Sequence, residues 1–204
     1  MQWNEQPLDP IVCISGSSRP GNYTTRALKV VTEHLQTLGA TTTSIEAREL
    51  SLTFPGQAES ADARKLREAV TQASAIVLAS PEYHGSFSAM TKLVIENLGF
   101  PSAMEGKAVA LLGVASGRIG AIKTLEQMRS VCAHIGAIVM PGAVSIAGVR
   151  SVFDENGNII DKGSEKALHG LADSMMRFMK DYICPKHTLE SIVREQGLPW
   201  SATL

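Results

Sequence analysis

Apolar and polar positions alternate in blocks along this chain, and the blocks differ in period. Short apolar runs at about 10–15, 42–47, 75–80, 107–114 and 137–145 predict strands. Stretches at about 22–39, 60–73, 86–98, 118–135 and 164–182 repeat their apolar residues at helical spacing and predict amphipathic helices. In the first of these, Ala27, Val30, Val31, Leu35 and Leu38 share one face, and Gly39 supplies the C-terminal stop. In the last, Ala167, Leu168, Leu171, Met175, Phe178 and Met179 form a stripe that reads as core packing. Strand and helix alternating in this way predict an α/β, doubly wound, five-stranded parallel sheet with helices on both faces. Asn156-Gly157, between Val152-Phe153 and Ile159-Ile160, predicts a small surface hairpin before the last helix.

Three polar loops follow three of the predicted strands. The first is Ser15-Gly16-Ser17-Ser18-Arg19-Pro20-Gly21-Asn22-Tyr23-Thr24. Gly16 lets backbone approach a ligand closely, Ser17, Asn22 and Thr24 offer hydrogen bonds, and Arg19 offers charge. Amides at the start of the following helix favour an anion at the same spot, so this loop suits a phosphate. The second loop, Ser80-Pro81-Glu82-Tyr83-His84-Gly85-Ser86, combines turn formers with flat and polar side chains. The third, Gly113-Val114-Ala115-Ser116-Gly117-Arg118-Ile119-Gly120, has glycines that allow backbone to lie against a planar ring. In the flavodoxin-like strand order 2-1-3-4-5, the strand order reverses between strands 1 and 3, and the first two loops open into that crevice. One ligand with an anionic end and a flat end fits this placement.

Composition narrows the field. The chain has 204 residues, 44% hydrophobic and 19% charged, which suits a single domain with a full core at about 10–183 and a C-terminal extension at about 184–204. Leu189, Ile192, Val193, Leu198 and Trp200 make that extension apolar enough to pack on the domain or on a second subunit. A net charge of −1 leaves no electrostatic footprint for nucleic acid or an anionic membrane. No apolar run is long enough to span a bilayer, and the first residues have no signal-peptide pattern. Cys13, Cys132 and Cys184 are widely spaced and form no metal motif, so a reducing, cytoplasmic setting is expected.

Rival motifs fare unevenly. Ser18 stands where a dinucleotide fingerprint needs its second glycine, and no Gly-Lys-Ser/Thr follows for a Walker A loop. Cys13 and Arg19 do have the C-x5-R spacing of cysteine phosphatases, but Cys13 lies within an apolar strand and Pro20 follows the arginine.

The segments GSSRPGNYT, SPEYHGSFSAMTKLVIENL and GVASGRIGAIKTLEQMR resemble the NAD(P)H-dependent FMN reductase family, small flavodoxin-like enzymes that include quinone, azo and chromate reductases. The resemblance runs from about residue 10 to 180. It implies that Ser17, Arg19, Asn22, Tyr23 and Thr24 hold the FMN phosphate. It implies that Pro81, Glu82, Tyr83, His84, Gly85 and Ser86 lie along the isoalloxazine, and that Ser116, Gly117, Arg118 and Gly120 form the third contact. The activity implied is hydride transfer from NADPH or NADH through FMN to a flavin, quinone or similar small-molecule acceptor, in a homodimer or homotetramer. No catalytic acid–base residue and no metal are expected, since the flavin carries the chemistry. Three positions depart from the family's usual residues: Asn22 for Ser, His84 for Asn, and Ile95-Glu96-Asn97 where Asp precedes Trp or Tyr. A flavodoxin-type carrier, which binds FMN without reductase activity, is the alternative, but such carriers are typically strongly acidic.

Overall fold

The computed structural model describes residues 10–185. The central sheet runs β2-β1-β3-β5, with β1 Ile11–Ser15, β2 Thr42–Glu46, β3 Ala75–Tyr83 and β5 Ala108–Val114, all parallel. The position expected for a single fifth strand is divided between β6 Ile138–Val139 and β7 Val144–Ile146, both pairing with β5. Pro141 and Gly142, the latter at φ +79°, interrupt it. The expected order 2-1-3-4-5 therefore holds, with its last place split in two.

Every residue of β1 and β5 is buried, which explains why these strands read as unbroken apolar runs. Their side chains alternate between two cores. Ile11, Cys13, Val77, Ala110 and Leu112 face Val31 and Leu35 of α1 (Tyr23–Thr37) and Leu168, Leu171 and Met175 of α5 (Lys162–Phe178). Val12, Ile14, Ile76, Leu78 and Leu111 face Leu66 and Val70 of α2 (Ala61–Gln72), Val94 of α3 (Ala89–Glu96) and Met128 of α4 (Ile122–His134). Fully burying one such aliphatic side chain is worth about 1.5–3 kcal/mol. Of the stripe its spacing implied, Leu168, Leu171 and Met175 of α5 and Met179 just beyond it are core and Phe178 packs against them, while Ala167 lies outside the cluster.

Helix ends follow local chemistry. Asn22 caps α1 by accepting from Thr25 N, Ser60 caps α2, Ser88 caps α3 and Asp161 caps α5. After α1, Gly39 at φ +87° donates to the Gln36 carbonyl and Ala40 to the Leu35 carbonyl, the paired bonds of a Schellman stop. The hairpin expected at 154–158 is present as a turn closed by an antiparallel bridge between Phe153 and Ile159. Beyond α5 a wider helical turn covers Met179–Ile183. The extension at 184–204 falls almost wholly outside the described residues. Among the described residues no helix is long and apolar enough to cross a membrane.

Candidate functional site

The largest departure from the sequence reading is at the second loop. β3 does not stop at Ser80 but continues to Tyr83, where it folds back on β4 (Ser86–Phe87) with Glu82 opposite Phe87 and Tyr83 opposite Ser86. Pro81 is tolerated inside this strand because β1 pairs with β3 only as far as Ala79, and the proline nitrogen faces the side where β1 has ended. His84 and Gly85 form a two-residue turn, with φ +52° and +72°. His84 is the one non-glycine residue at positive φ among the described residues. Asn and His tolerate this region better than most side chains, a backbone reason for finding one where the other is usual.

Side chains of the hairpin hold it to α4. Glu82 Oε2 accepts from Thr124 N at 3.1 Å, capping a helix whose own N-cap, Ala121, has no side-chain bond. Ser86 Oγ donates to Gln127 Oε1 at 2.6 Å, and Gln127 Nε2 donates to the Gly85 carbonyl at 3.1 Å. Glu82 and Ser86, expected against the cofactor, thus make protein contacts. Lys123, at the start of α4, also comes close: a Cβ on Gly85 would lie 3.8 Å from its Nζ.

The first loop shows a similar division. Ser17 is buried, and its Oγ accepts from Arg19 N at 3.3 Å. Asn22 uses both ends of its amide within the chain, accepting from Thr25 N and donating to the Arg19 carbonyl at 2.8 Å. Tyr23 stacks on Phe153 at 6.2 Å, and Thr24 is buried. What remains outward is Ser18, the exposed Arg19, Pro20 and Gly21, beside the first-turn amides of α1. The Arg19 guanidinium lies over the Tyr83 ring, joining the first loop to the second.

In the third loop Ser116, Gly117, Arg118 and Ile119 are exposed, whereas Gly120 is buried at φ +86°. A Cβ there would lie 2.5 Å from Ser145 Oγ. Ser145 Oγ accepts from Ala121 N at 2.8 Å, and Gly148 N donates to the Gly117 carbonyl at 3.0 Å. β7 and the residues just after it therefore support this loop, which periodicity alone did not reveal. β1, β3 and β5 being neighbours, the three loops emerge side by side at one end of the sheet. Hydroxyls, a guanidinium and helix amides stand at one side; a tight turn, a half-buried tyrosine and an apolar Ile119 stand at the other. This donor set fits a phosphate joined to a flat heterocycle.

The spacing of Cys13 and Arg19 carries no phosphatase chemistry. Cys13 is fully buried in the core under α1, and burial pushes its thiol up to about 11, against a smaller lowering by the Thr32 hydroxyl. Among the described residues no cluster of His, Cys, Asp and Glu could hold a metal.

The family model for NADPH-dependent FMN reductases matches residues 10–150. The chain belongs to that family. A 2-hydroxy-1,4-benzoquinone reductase of Burkholderia sp. is 27% identical over 58% of this chain and 67% of its own length. An FMN-dependent NADPH-azoreductase of Staphylococcus aureus is 26% identical over 82% of this chain and 94% of its own. Among solved structures, the flavoenzyme NAD(P)H:(acceptor) oxidoreductase FerB of Paracoccus denitrificans superposes with a TM-score of 0.70 at 18% identity, over 86% of this chain and 99% of that one. A flavodoxin from the domain Archaea does so at 0.56, 13% identity, 82% and 97%. These structures fix the flavodoxin-like fold, and the FMN reductase family bears out the flavin- and NAD(P)H-dependent oxidoreductase expected from the loop motifs.

Proposed function

We propose that this chain binds FMN across its three loops and passes hydride from NADPH or NADH to a small quinone-, azo- or flavin-class acceptor. FMN would supply the two-electron centre that takes and returns hydride. The protein's part is to hold and orient. Arg19, Ser17 and the first-turn amides of α1 form the phosphate end, with Asn22 shaping the loop by capping. Backbone of the Tyr83–Gly85 turn faces the ring, and Ser116–Arg118 with Gly120 closes the opposite edge.

The observation that carries this reading is the adjacency of the anion-binding loop and the hairpin across the β1–β3 crevice, bridged by Arg19 and Tyr83. Such fixed placement of reactants contributes much of the rate in hydride transfer. The family likeness favours a homodimer or homotetramer, and the cysteine usage favours the cytoplasm. The test is the visible flavin absorption of the purified protein and its oxidation of NADPH and NADH with a quinone. A protein that takes up no FMN overturns the reading; one that takes up FMN yet oxidises neither nucleotide is an electron carrier instead.

A further inference from the structure

Three buried hydroxyls join the first loop to the hairpin. Ser80 and Thr91 have no solvent exposure, and Ser88 has 3%. They come from the middle of β3, the N-cap of α3 and the third residue of that helix. Ser80 Oγ donates to the Pro81 carbonyl at 3.0 Å and accepts from Ser88 N at 3.1 Å. Thr91 Oγ1 lies 2.9 Å from Ser80 Oγ, 2.9 Å from Ser88 Oγ and 3.3 Å from the Gly16 carbonyl. Ser88 Oγ donates to the same Gly16 carbonyl and accepts from Thr91 N at 3.0 Å.

Each hydroxyl has one proton, and the contacts accommodate all of them, for example with Ser88 donating to Gly16, Thr91 to Ser80 and Ser80 to the Pro81 carbonyl. Gly16 opens the first loop, Ser80 begins the hairpin segment and Ser88 ends it. Thr91 touches all three. The contact is tight as well as polar: a Cβ on Gly16 would lie 1.9 Å from Thr91 Oγ1, so the loop backbone rests directly on this side chain.

We propose that Thr91 is a positioning residue that sets the separation between the phosphate loop and the hairpin, and so the placement of the flavin between them. This rests on the FMN reading above. Removing the Thr91 hydroxyl breaks the side-chain link between Ser80 Oγ and the Ser88–Gly16 pair, so the two loops lose a shared fixed point while their remaining bonds persist. Thr91 itself reaches no ligand; it acts through Gly16 and Ser80.

The experiment compares wild type, Thr91→Val and Thr91→Ser for FMN dissociation constant, flavin midpoint potential, turnover at saturating FMN, and melting temperature. Thr91→Val keeps the shape and loses the hydroxyl. It is expected to bind FMN about tenfold more weakly, to shift the potential, and to turn over several-fold more slowly even when saturated. Thr91→Ser is expected to stay within about twofold of wild type in affinity and turnover. Wild-type affinity, potential and turnover in Thr91→Val, whatever its melting temperature, overturn the proposal. If Thr91→Val does not fold, Ser80→Ala takes its place with the same expected and overturning results. A wild type that takes up no FMN overturns the functional reading itself, and this proposal with it.

Discussion

The guanidinium carbon of Arg19 lies 4.8 Å from the centre of the Tyr83 ring, which ties an exposed loop cation to the flat side chain of the hairpin. In the proposed site this holds the arginine at the crevice rather than in bulk solvent.

Arg19→Ala is expected to weaken FMN binding roughly tenfold to hundredfold, since a hydrogen bond to a charged group contributes about 1.5–3 kcal/mol. The melting temperature of the apoprotein should barely move, because Arg19 is exposed. Fluorescence titration with FMN measures the first and thermal denaturation the second; unchanged affinity removes Arg19 from the phosphate end.

His84 occupies left-handed backbone at φ +52°. His84→Asn should keep both stability and activity per bound flavin, because asparagine suits the turn. His84→Val should lose about 1–2 kcal/mol, the penalty of a branched side chain in this region. Denaturant midpoints decide it: equal loss in both variants would mean that the imidazole, not the backbone, matters.

Glu82 supplies the cap that Ala121 cannot. Glu82→Ala is expected to cost about 0.5–2 kcal/mol, with amide exchange accelerated in the first turn of α4. Glu82→Gln keeps an acceptor and should recover much of the loss. If exchange at Thr124 is unaltered in the alanine variant, the cap has no energetic weight.

Cys13→Ser should leave NADPH oxidation per bound flavin largely intact, and wild-type protein should release no phosphate from aryl phosphates. Its thiol keeps its proton in the folded chain up to about 11, against an ordinary value of 9.0. Between these values the unfolded chain binds fewer protons, so stability falls as pH rises from about 9 to about 11. Wild type should lose stability more steeply across that interval than Cys13→Ser; parallel pH curves would contradict a buried, protonated thiol.

The sheet order and both helical layers were legible because parallel strands buried on both faces leave unmistakable apolar runs, as in Ile11–Ser15 and Ala108–Val114. The end of β3 was not, because Pro81 reads as a breaker wherever a neighbouring strand needs its N–H, and only the structure shows that β1 has already stopped. The split between β6 and β7 was hidden in the same way by a run whose apolar residues continue on either side of Pro141-Gly142. At the candidate site, loop composition marked three segments that the sheet brings side by side at one end. It could not show that Glu82 and Ser86 turn to Thr124 and Gln127, since partners some forty residues away leave no local pattern. The Ser88 cap on α3 emerged only from the structure, and its link to Gly16 depends on the sheet bringing the two together.

Glu82 and Ser86 spend their side chains on mounting the hairpin against α4. In the proposed site, the hairpin side chains left to meet an acceptor are then those of Tyr83 and the exposed His84. Redesign of substrate choice therefore has little to gain at Glu82 or Ser86, where a change loosens the mount. Under the proposed function, substrate choice is better varied at the exposed Arg118 and Ile119, since the bonds that mount the third loop run through Gly117, Ala121, Ser145 and Gly148 instead.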